Sequence, residues 1–262
     1  MNPNFNATAA ASRYLRLDSP AGIAWLLRHH NDLAAAWAGL DQVLRCGRPA
    51  RPARSSTAGP AEPETFIHAM HDNARQRAPI LARLLAGQPI TRMLDVGGGS
   101  GAYCLEFCRR RPRLQATLFD RADVLRVARK ILAGHRQARR IDLLAGDLDT
   151  DQLPGGFDFV LLSQVIHSAG PAQIRRWLSK IRRALQPGGL LAIQDFLTDP
   201  TGTRPRRAAV FAINMLVNTP AGRTYSRREL STWLRRAGFV GIRSVDSTDA
   251  AIALMLARRP DR

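Results

Sequence analysis

The segment Leu94-Asp95-Val96-Gly97-Gly98-Gly99-Ser100-Gly101 limits what this chain can fold into more than any other stretch. A short apolar run that breaks into glycines and then resumes with helical spacing reads as a strand, a tight turn and a helix. Glycines at the turn let the backbone bend sharply and approach a ligand closely. The chain around it has the matching rhythm. Strands are expected at 91–96, 115–119, 140–144, 157–162 and 190–196, with helices at about 101–111, 122–133 and 172–185 between them. Such alternation predicts a parallel sheet covered by helices on both faces. Helices at 205–218 and 227–237 and strands at 239–245 and 250–257 complete the pattern, and Pro187-Gly188-Gly189 reads as a stop and a turn.

The first third of the chain is different. Residues 21–46 carry Ile23, Leu26, Leu27, Leu33, Trp37, Leu40 and Leu44 near a 3.6-residue period, expected as an amphipathic helix in two pieces. Residues 47–63, rich in Gly, Pro, Ser and Arg, read as a linker, and a helix follows from about 64 to 85. Neither helical stretch can bury a core alone, so both are expected to lie against the main domain. The division is therefore 1–63 as a helical N-terminal region with its linker, and 64–262 as a ligand-binding α/β domain.

Composition narrows the partners. The chain has 262 residues, 45% of them hydrophobic, and a formal charge of +18. Of its 39 basic residues 37 are arginine, spread over nearly every segment rather than clustered, which makes nucleic acid an unlikely partner despite the charge. Arg175, Arg176, Arg182 and Arg183 read as the solvated face of a helix whose other face is Ile174, Trp177, Leu178, Ile181 and Leu185. Arg109, Arg110, Arg111 and Arg113 close a helix, where cations are favourable. Three cysteines (Cys46, Cys104 and Cys108) form no CxxC pair, so no metal site and no disulfide framework is expected. Neither a membrane span nor a signal peptide is legible, and a cytoplasmic location is expected.

The chemistry-bearing residues fall at strand ends, where ligands sit in open α/β sheets. Gly97, Gly99 and Ala102 also satisfy a loose dinucleotide fingerprint, so the loop alone is ambiguous. Asp95 just before the glycines would repel a pyrophosphate and attract an ammonium or a sulfonium. Asp120, 25 residues further on, can accept both hydroxyls of a ribose, and Gly146-Asp147-Leu148 offers a carboxylate and an apolar neighbour for an adenine. The fourth strand runs into Ser163-Gln164-Val165-Ile166-His167. Of six histidines only His167 has such a position; His29, His30, His68, His71 and His135 lie in helical or loop contexts without it.

LDVGGGSG, LFD, GD, VIHS and LQPGGLLAIQDF, with AAVFAINMLVNTPAGRTYSRRELSTWLRRAGF, together resemble the S-adenosylmethionine-dependent O-methyltransferases of the plant caffeate and acetylserotonin type and their bacterial small-molecule relatives. The resemblance covers about 64–262 and extends more weakly over 12–50. It implies a Rossmann-like class I methyltransferase with a mostly parallel seven-stranded sheet and S-adenosyl-L-methionine as cofactor. It places Gly97, Gly99 and Gly101 by the methionine part, Asp120 on the ribose, and Asp147 with Leu148 at the adenine. It makes His167 the general base and Asp195 the carboxylate that orients it, with Asp95 and Ser163 completing the cofactor site. Met70, Asn214, Met215 and Asn218 would meet a small aromatic acceptor of secondary metabolism, and Phe211 would help shape that pocket. The chain departs from the family at Ser168, where plant members have Asp, and at Thr224, where a second acid would fall. The family's N-terminal winged-helix dimerisation domain is also not evident, so a homodimer stays open. Two other functions stay open beside this reading: methylation of nucleic acid, against which Leu162-Ser163-Gln164-Val165 lacks the proline pair of base-amino methyltransferases, and cofactor binding without turnover.

Overall fold

A computed structural model describes residues 6–19, 21–47, 63–245 and 252–261. In chain order the described residues form α1 (Ala9–Tyr14), α2 (Ala24–Trp37), α3 (Leu40–Cys46), α4 (Pro63–Leu84), β1 (Arg92–Val96), α5 (Ala102–Arg110), β2 (Gln115–Asp120), α6 (Ala122–Leu132), β3 (Ile141–Ala145), β4 (Phe157–Ser163), α7 (Pro171–Ala184), β5 (Leu185–Asp195), β6 (Leu197–Thr198), α8 (Arg206–Asn218), β7 (Tyr225–Ser226), α9 (Arg227–Arg236), β8 (Val240–Val245) and β9 (Ala253–Arg258). Short 3₁₀ turns cover Arg136–Arg140 and Ile166–Ser168.

The main sheet runs β3-β2-β1-β4-β5-β9-β8. The first five strands are parallel, and β9 and β8 are added antiparallel. Strand order reverses between β1 and β4, the point at which a crevice opens beyond the carboxyl ends. The apolar runs of the central strands follow from burial on both faces, because alternate residues enter two different cores. Leu94 and Val96 of β1, Val160 and Leu162 of β4 and Leu191 and Ile193 of β5 pack on Ile174, Trp177 and Leu178 of α7 and Leu230 and Leu234 of α9. Their neighbours Met93, Phe159, Leu161 and Leu190 pack on the other side, against Leu81 of α4 and Leu85 just after it, Cys104 and Phe107 of α5 and Leu125 of α6.

Three details differ from the sequence expectation. The last parallel strand starts at Leu185, not at 190: Leu185 already pairs with Phe157, and pairing resumes at Phe159 with Leu190 after the chain bulges. Gly188 takes a φ of +73° inside that bulge and its carbonyl accepts from Arg258, so Pro187-Gly188-Gly189 is a bulge within the strand. Helix α1, capped by Thr8, and the two-residue strands β6 and β7 were too short to show periodicity. The expected linker at 47–63 and the start of the strand at 250–257 fall mostly outside the described residues.

The N-terminal helices lie against the sheet domain through α4. Trp25 of α2 stacks on His68 of α4 with ring centroids 4.7 Å apart, and His29 meets the edge of Phe66 at 5.4 Å. Arg75 of α4 also donates to the carbonyl of Gly22. No described helix is long and apolar enough to cross a membrane.

Candidate active site

The glycine turn is fixed by what surrounds it. Gly97 has a φ of +67°, and a Cβ there would lie 2.8 Å from Val165 Cγ2. A Cβ on Gly98 would lie 2.5 Å from the carboxyl carbon of Asp95. Side chains are excluded at both, so the backbone of the turn stays open to close approach by a ligand. Val165 belongs to the segment that carries His167, so the turn and that segment touch directly.

Asp95 is fully buried at the end of β1. Its Oδ2 accepts the Cys104 thiol at 3.5 Å, while Oδ1 has no hydrogen-bond partner among the described residues. Burial raises its pKa to about 7, and the nearby Asp120 adds to the effect. A buried, half-satisfied carboxylate is costly without a partner. An unpaired acceptor at the mouth of the turn fits a cationic group.

Asp120 ends β2 with both oxygens facing backbone donors: Oδ2 accepts from Gly99 N–H and Oδ1 from Arg121 N–H, each at 2.8 Å. Burial raises its pKa while these two bonds oppose the rise. Each oxygen keeps a second lone pair for a hydroxyl. Asp147, half-buried beyond β3, turns its Oδ1 onto Asp149 N–H at 2.8 Å, and Leu148 packs against the core. Ser163 at the end of β4 donates to Gln194 Oε1 at 3.1 Å, the atom that also accepts from Tyr103 O–H at 2.6 Å.

Past Ser163 the chain makes a bend that only long-range contacts fix. Gln164 has a φ of +58°, the one positive value at a non-glycine among the described residues. Its N–H is tied to the Gln194 carbonyl at 2.8 Å. The strained turn aims the following 3₁₀ turn so that His167 Nδ1 donates to Asp195 Oδ1 at 2.8 Å. Asp195 is fully buried, and the same oxygen accepts Phe196 N–H at 2.8 Å. A carboxylate only accepts, so the shared proton sits on Nδ1 and Nε2 is left as the basic nitrogen. Among the described residues Asp195 is the acidic partner of His167, and Thr224 is a buried residue without a carboxylate to offer.

An aromatic wall borders the imidazole. Phe211 of α8 meets the His167 ring edge-on at 4.9 Å and stacks on Phe196 at 4.0 Å. Asn214 and Asn218 lie further along the same helix, with Met215 buried between them. Asn218 donates to Asn214, and Trp37 of α2 donates to Asn214 Oδ1 at 3.0 Å. Met70 is half-buried on α4.

The structure thus gathers Asp95, Asp120, Ser163, His167 and Asp195 at adjoining strand ends, with Asp147 at the end of a neighbouring strand. It also corrects the dismissal of His71. This residue shares a hydrogen bond of 2.9 Å between Nδ1 and the Oγ of Ser100, inside the glycine turn, and burial pushes its pKa down to about 4. A signal was present: His71 follows Ile67 by four residues and precedes Ala78 and Leu81 on the packed face of α4. Trp37 and Tyr103 carry no motif, Gln194 and Phe196 flank Asp195 in LQPGGLLAIQDF, and tertiary packing brings all four beside the predicted site residues.

A parallel sheet reversed at β1 and β4, a glycine turn there, and a row of carboxylates at the strand ends define a class I, Rossmann-like methyltransferase. Comparison with known proteins narrows the class. The model of the O-methyltransferase domain family matches residues 52–240. The chain is 33% identical over 248 residues to a 3-hydroxy-5-methyl-1-naphthoate 3-O-methyltransferase of Streptomyces sahachiroi, covering 92% of this chain and 71% of that protein. It is 26% identical over 261 residues to the tetracenomycin polyketide synthesis 8-O-methyltransferase of Streptomyces glaucescens, 98% of this chain and 76% of the other. Human N-acetylserotonin methyltransferase, solved in complex with S-adenosylmethionine, superposes with a TM-score of 0.82 at 25% identity, over 97% of this chain and 75% of that one. The chain belongs to the O-methyltransferase family. It is an S-adenosylmethionine-dependent enzyme, in keeping with the unpaired Asp95 oxygen and the side-chain-free cradle of the glycine turn.

Proposed function

We propose that this enzyme methylates an aryl hydroxyl on a small aromatic secondary metabolite, with His167 as the general base. S-Adenosylmethionine, when bound, supplies a methyl group activated by its sulfonium. Asp95, Gly97, Gly99 and Gly101 would hold its methionine part, Asp120 its ribose, Asp147 and Leu148 its adenine, with Ser163 beside them. Met70, Met215, Asn214 and Asn218 would face the acceptor, and Phe211 and Phe196 would exclude water from it.

The observation that carries the reading is the 2.8 Å bond between His167 Nδ1 and Asp195 Oδ1. It fixes the ring and leaves Nε2 to take a proton. A phenol of pKa about 10 is a poor nucleophile at neutral pH until that proton has an acceptor. Asp195 would then stabilise the imidazolium that forms, in a place where water does not screen the pair. The names of the relatives support the acceptor class, since those quoted above methylate a hydroxynaphthoate and a polyketide.

The test is turnover of 3-hydroxy-1-naphthoate with S-adenosylmethionine, followed by mass spectrometry of the product. His167→Ala is expected to lower kcat by about 10²- to 10⁴-fold while leaving cofactor affinity, measured by calorimetry, within about twofold. Unchanged turnover in His167→Ala would remove this residue from its role.

A further inference from the structure

Phe211, Asn214, Met215 and Asn218 share one stripe of α8, at i, i+3, i+4 and i+7, and Phe211 fixes that stripe against His167. The two amides on it are ordered by a residue far away in sequence. Trp37 Nε1 meets Asn214 Oδ1 at 3.0 Å, across 177 residues. An indole N–H can only donate, so the atom it meets is the oxygen of Asn214. The NH₂ of Asn214 is therefore the end turned away from Trp37. Asn218 meets both the backbone carbonyl of Asn214 at 2.9 Å and its Oδ1 at 3.0 Å. Both are acceptors, so Asn218 presents its NH₂ to them and turns its own Oδ1 outward. The two ends of a carboxamide are normally interchangeable. Here the indole orients Asn214, and the backbone carbonyl of Asn214 orients Asn218.

We propose that Trp37 is a positioning residue for acceptor specificity. It polarises the Asn214–Asn218 pair so that α8 shows a donor at Asn214, which selects phenols bearing a carbonyl or carboxylate over the bare phenol. The proposal rests on the reading that this face of α8 lines the acceptor site. Trp37 touches no reacting atom and acts only through Asn214. Without its N–H, the Asn214 oxygen keeps only the Asn218 NH₂ as a donor, so a half-turn that offers an oxygen, which repels the oxygen of the ligand, becomes easier.

The experiment compares two ligands that differ by one group, 3-hydroxy-1-naphthoate and 2-naphthol, binding to the full chain saturated with S-adenosylhomocysteine. Calorimetry on the wild type is expected to give at least tenfold tighter binding of the naphthoate. Trp37→Phe keeps a ring and removes the N–H, and is expected to bring the ratio of the two Kd values to within about threefold. Asn214→Asp replaces the free NH₂ with oxygen and is expected to reverse the preference. In all three proteins S-adenosylhomocysteine affinity is expected to stay within twofold, so a merely structural loss is recognised. Equal binding of the two ligands by the wild type overturns the proposal. So does an unchanged ratio in Trp37→Phe, whatever happens to the absolute affinities. Selective binding without methylated product upholds the polarity of α8 and counts instead against His167 as the base, so the two readings fail separately.

Discussion

The two halves of the site are built by different means. On the cofactor side, β1, the glycine turn and α5 are consecutive in sequence, and the groups that would meet a ligand are the side-chain-free backbone of the turn and carboxylates at strand ends. On the side proposed for the acceptor, His167, Asp195, the aromatic wall and the paired amides come from β5, α2, α8 and the 3₁₀ turn after β4, brought together over 28 to 177 residues. The first half tolerates little change in backbone and the second little change in side chains. Each half should therefore fail by its own kind of substitution and leave the other working.

The sharpest break is expected at Gly98. A Cβ there runs into the Asp95 carboxyl, which is fully buried and has nowhere to go. Gly98→Ala should weaken S-adenosylmethionine binding by on the order of 100-fold, since displacing the cradle by even 1 Å costs about that much. Binding of a naphthol acceptor to the apo chain should stay within about threefold. A cofactor Kd within threefold of wild type would show that the turn relaxes freely and that the halves are not built as differently as they look.

The reverse experiment is Asp195→Asn. The oxygen that accepts from His167 and Phe196 can be kept by the amide, so the ring stays oriented and only the counter-charge for the imidazolium is lost. A drop in kcat of about ten- to a hundredfold is expected, within the range of general-base effects, with cofactor Kd unchanged. An equal loss in cofactor affinity would mean that β5 holds both halves together.

A third prediction concerns the buried carboxylate of the cofactor half. Asp95 has its pKa raised by burial from 3.8 to about 7. Between these values the folded chain keeps a proton that the unfolded chain has released, so stability falls as pH rises from about 4 to 7. The slope contributed by one group is about 1.4 kcal/mol per pH unit. His71, held down to about 4 by burial, adds a slope of the opposite sign below about pH 6.5 to both proteins, so urea unfolding at pH 5, 6 and 7 should show the Asp95 slope as the difference between the wild type and Asp95→Asn. An identical slope in the variant would mean that Asp95 stays ionised in the fold.

The same division explains what could be read from the sequence. The parallel sheet, its helices and the glycine turn are local patterns of period 2 or 3.6, and Asp95, Asp120 and Asp147 follow from them because strand ends are predictable positions. His167 and Asp195 were legible by the same logic. Their pairing came from the family resemblance alone, and the geometry that makes it depends on the positive φ of Gln164, which its amide identity does not announce. His71 carries no signal of its own beyond its helical spacing, since a histidine in a helix looks like any other until the helix has a neighbour. Trp37 read as a core residue of an amphipathic helix, and only the approach of α2 to α8 turns its N–H toward Asn214. The bulge at Pro187-Gly188-Gly189 looked like a turn because its strand pairs across it through Leu185, a contact with no local signature.

The smallest effect is expected where the cofactor half is held by a side chain. Lys180 of α7 is buried, and its ammonium donates to the carbonyls of Leu148, Asp149 and Asp151 at 2.7, 2.8 and 2.8 Å. It thereby holds the segment that follows β3, with Asp147 and Leu148 at its start. Lys180→Met keeps the length of the side chain and leaves three carbonyls without their donor, and hydrogen bonds to charged groups are each worth about 1.5–3 kcal/mol. The full loss is not expected to reach the site, since Asp149 is also held by Trp177 Nε1 at 2.8 Å and by Gln173. The KM for S-adenosylmethionine should rise about three- to fivefold, with kcat and the naphthoate-to-naphthol preference unchanged. A change in acceptor preference in this variant would be the more informative outcome. It would show that the segment after β3 communicates with α8, and the two halves would then have to be treated as one.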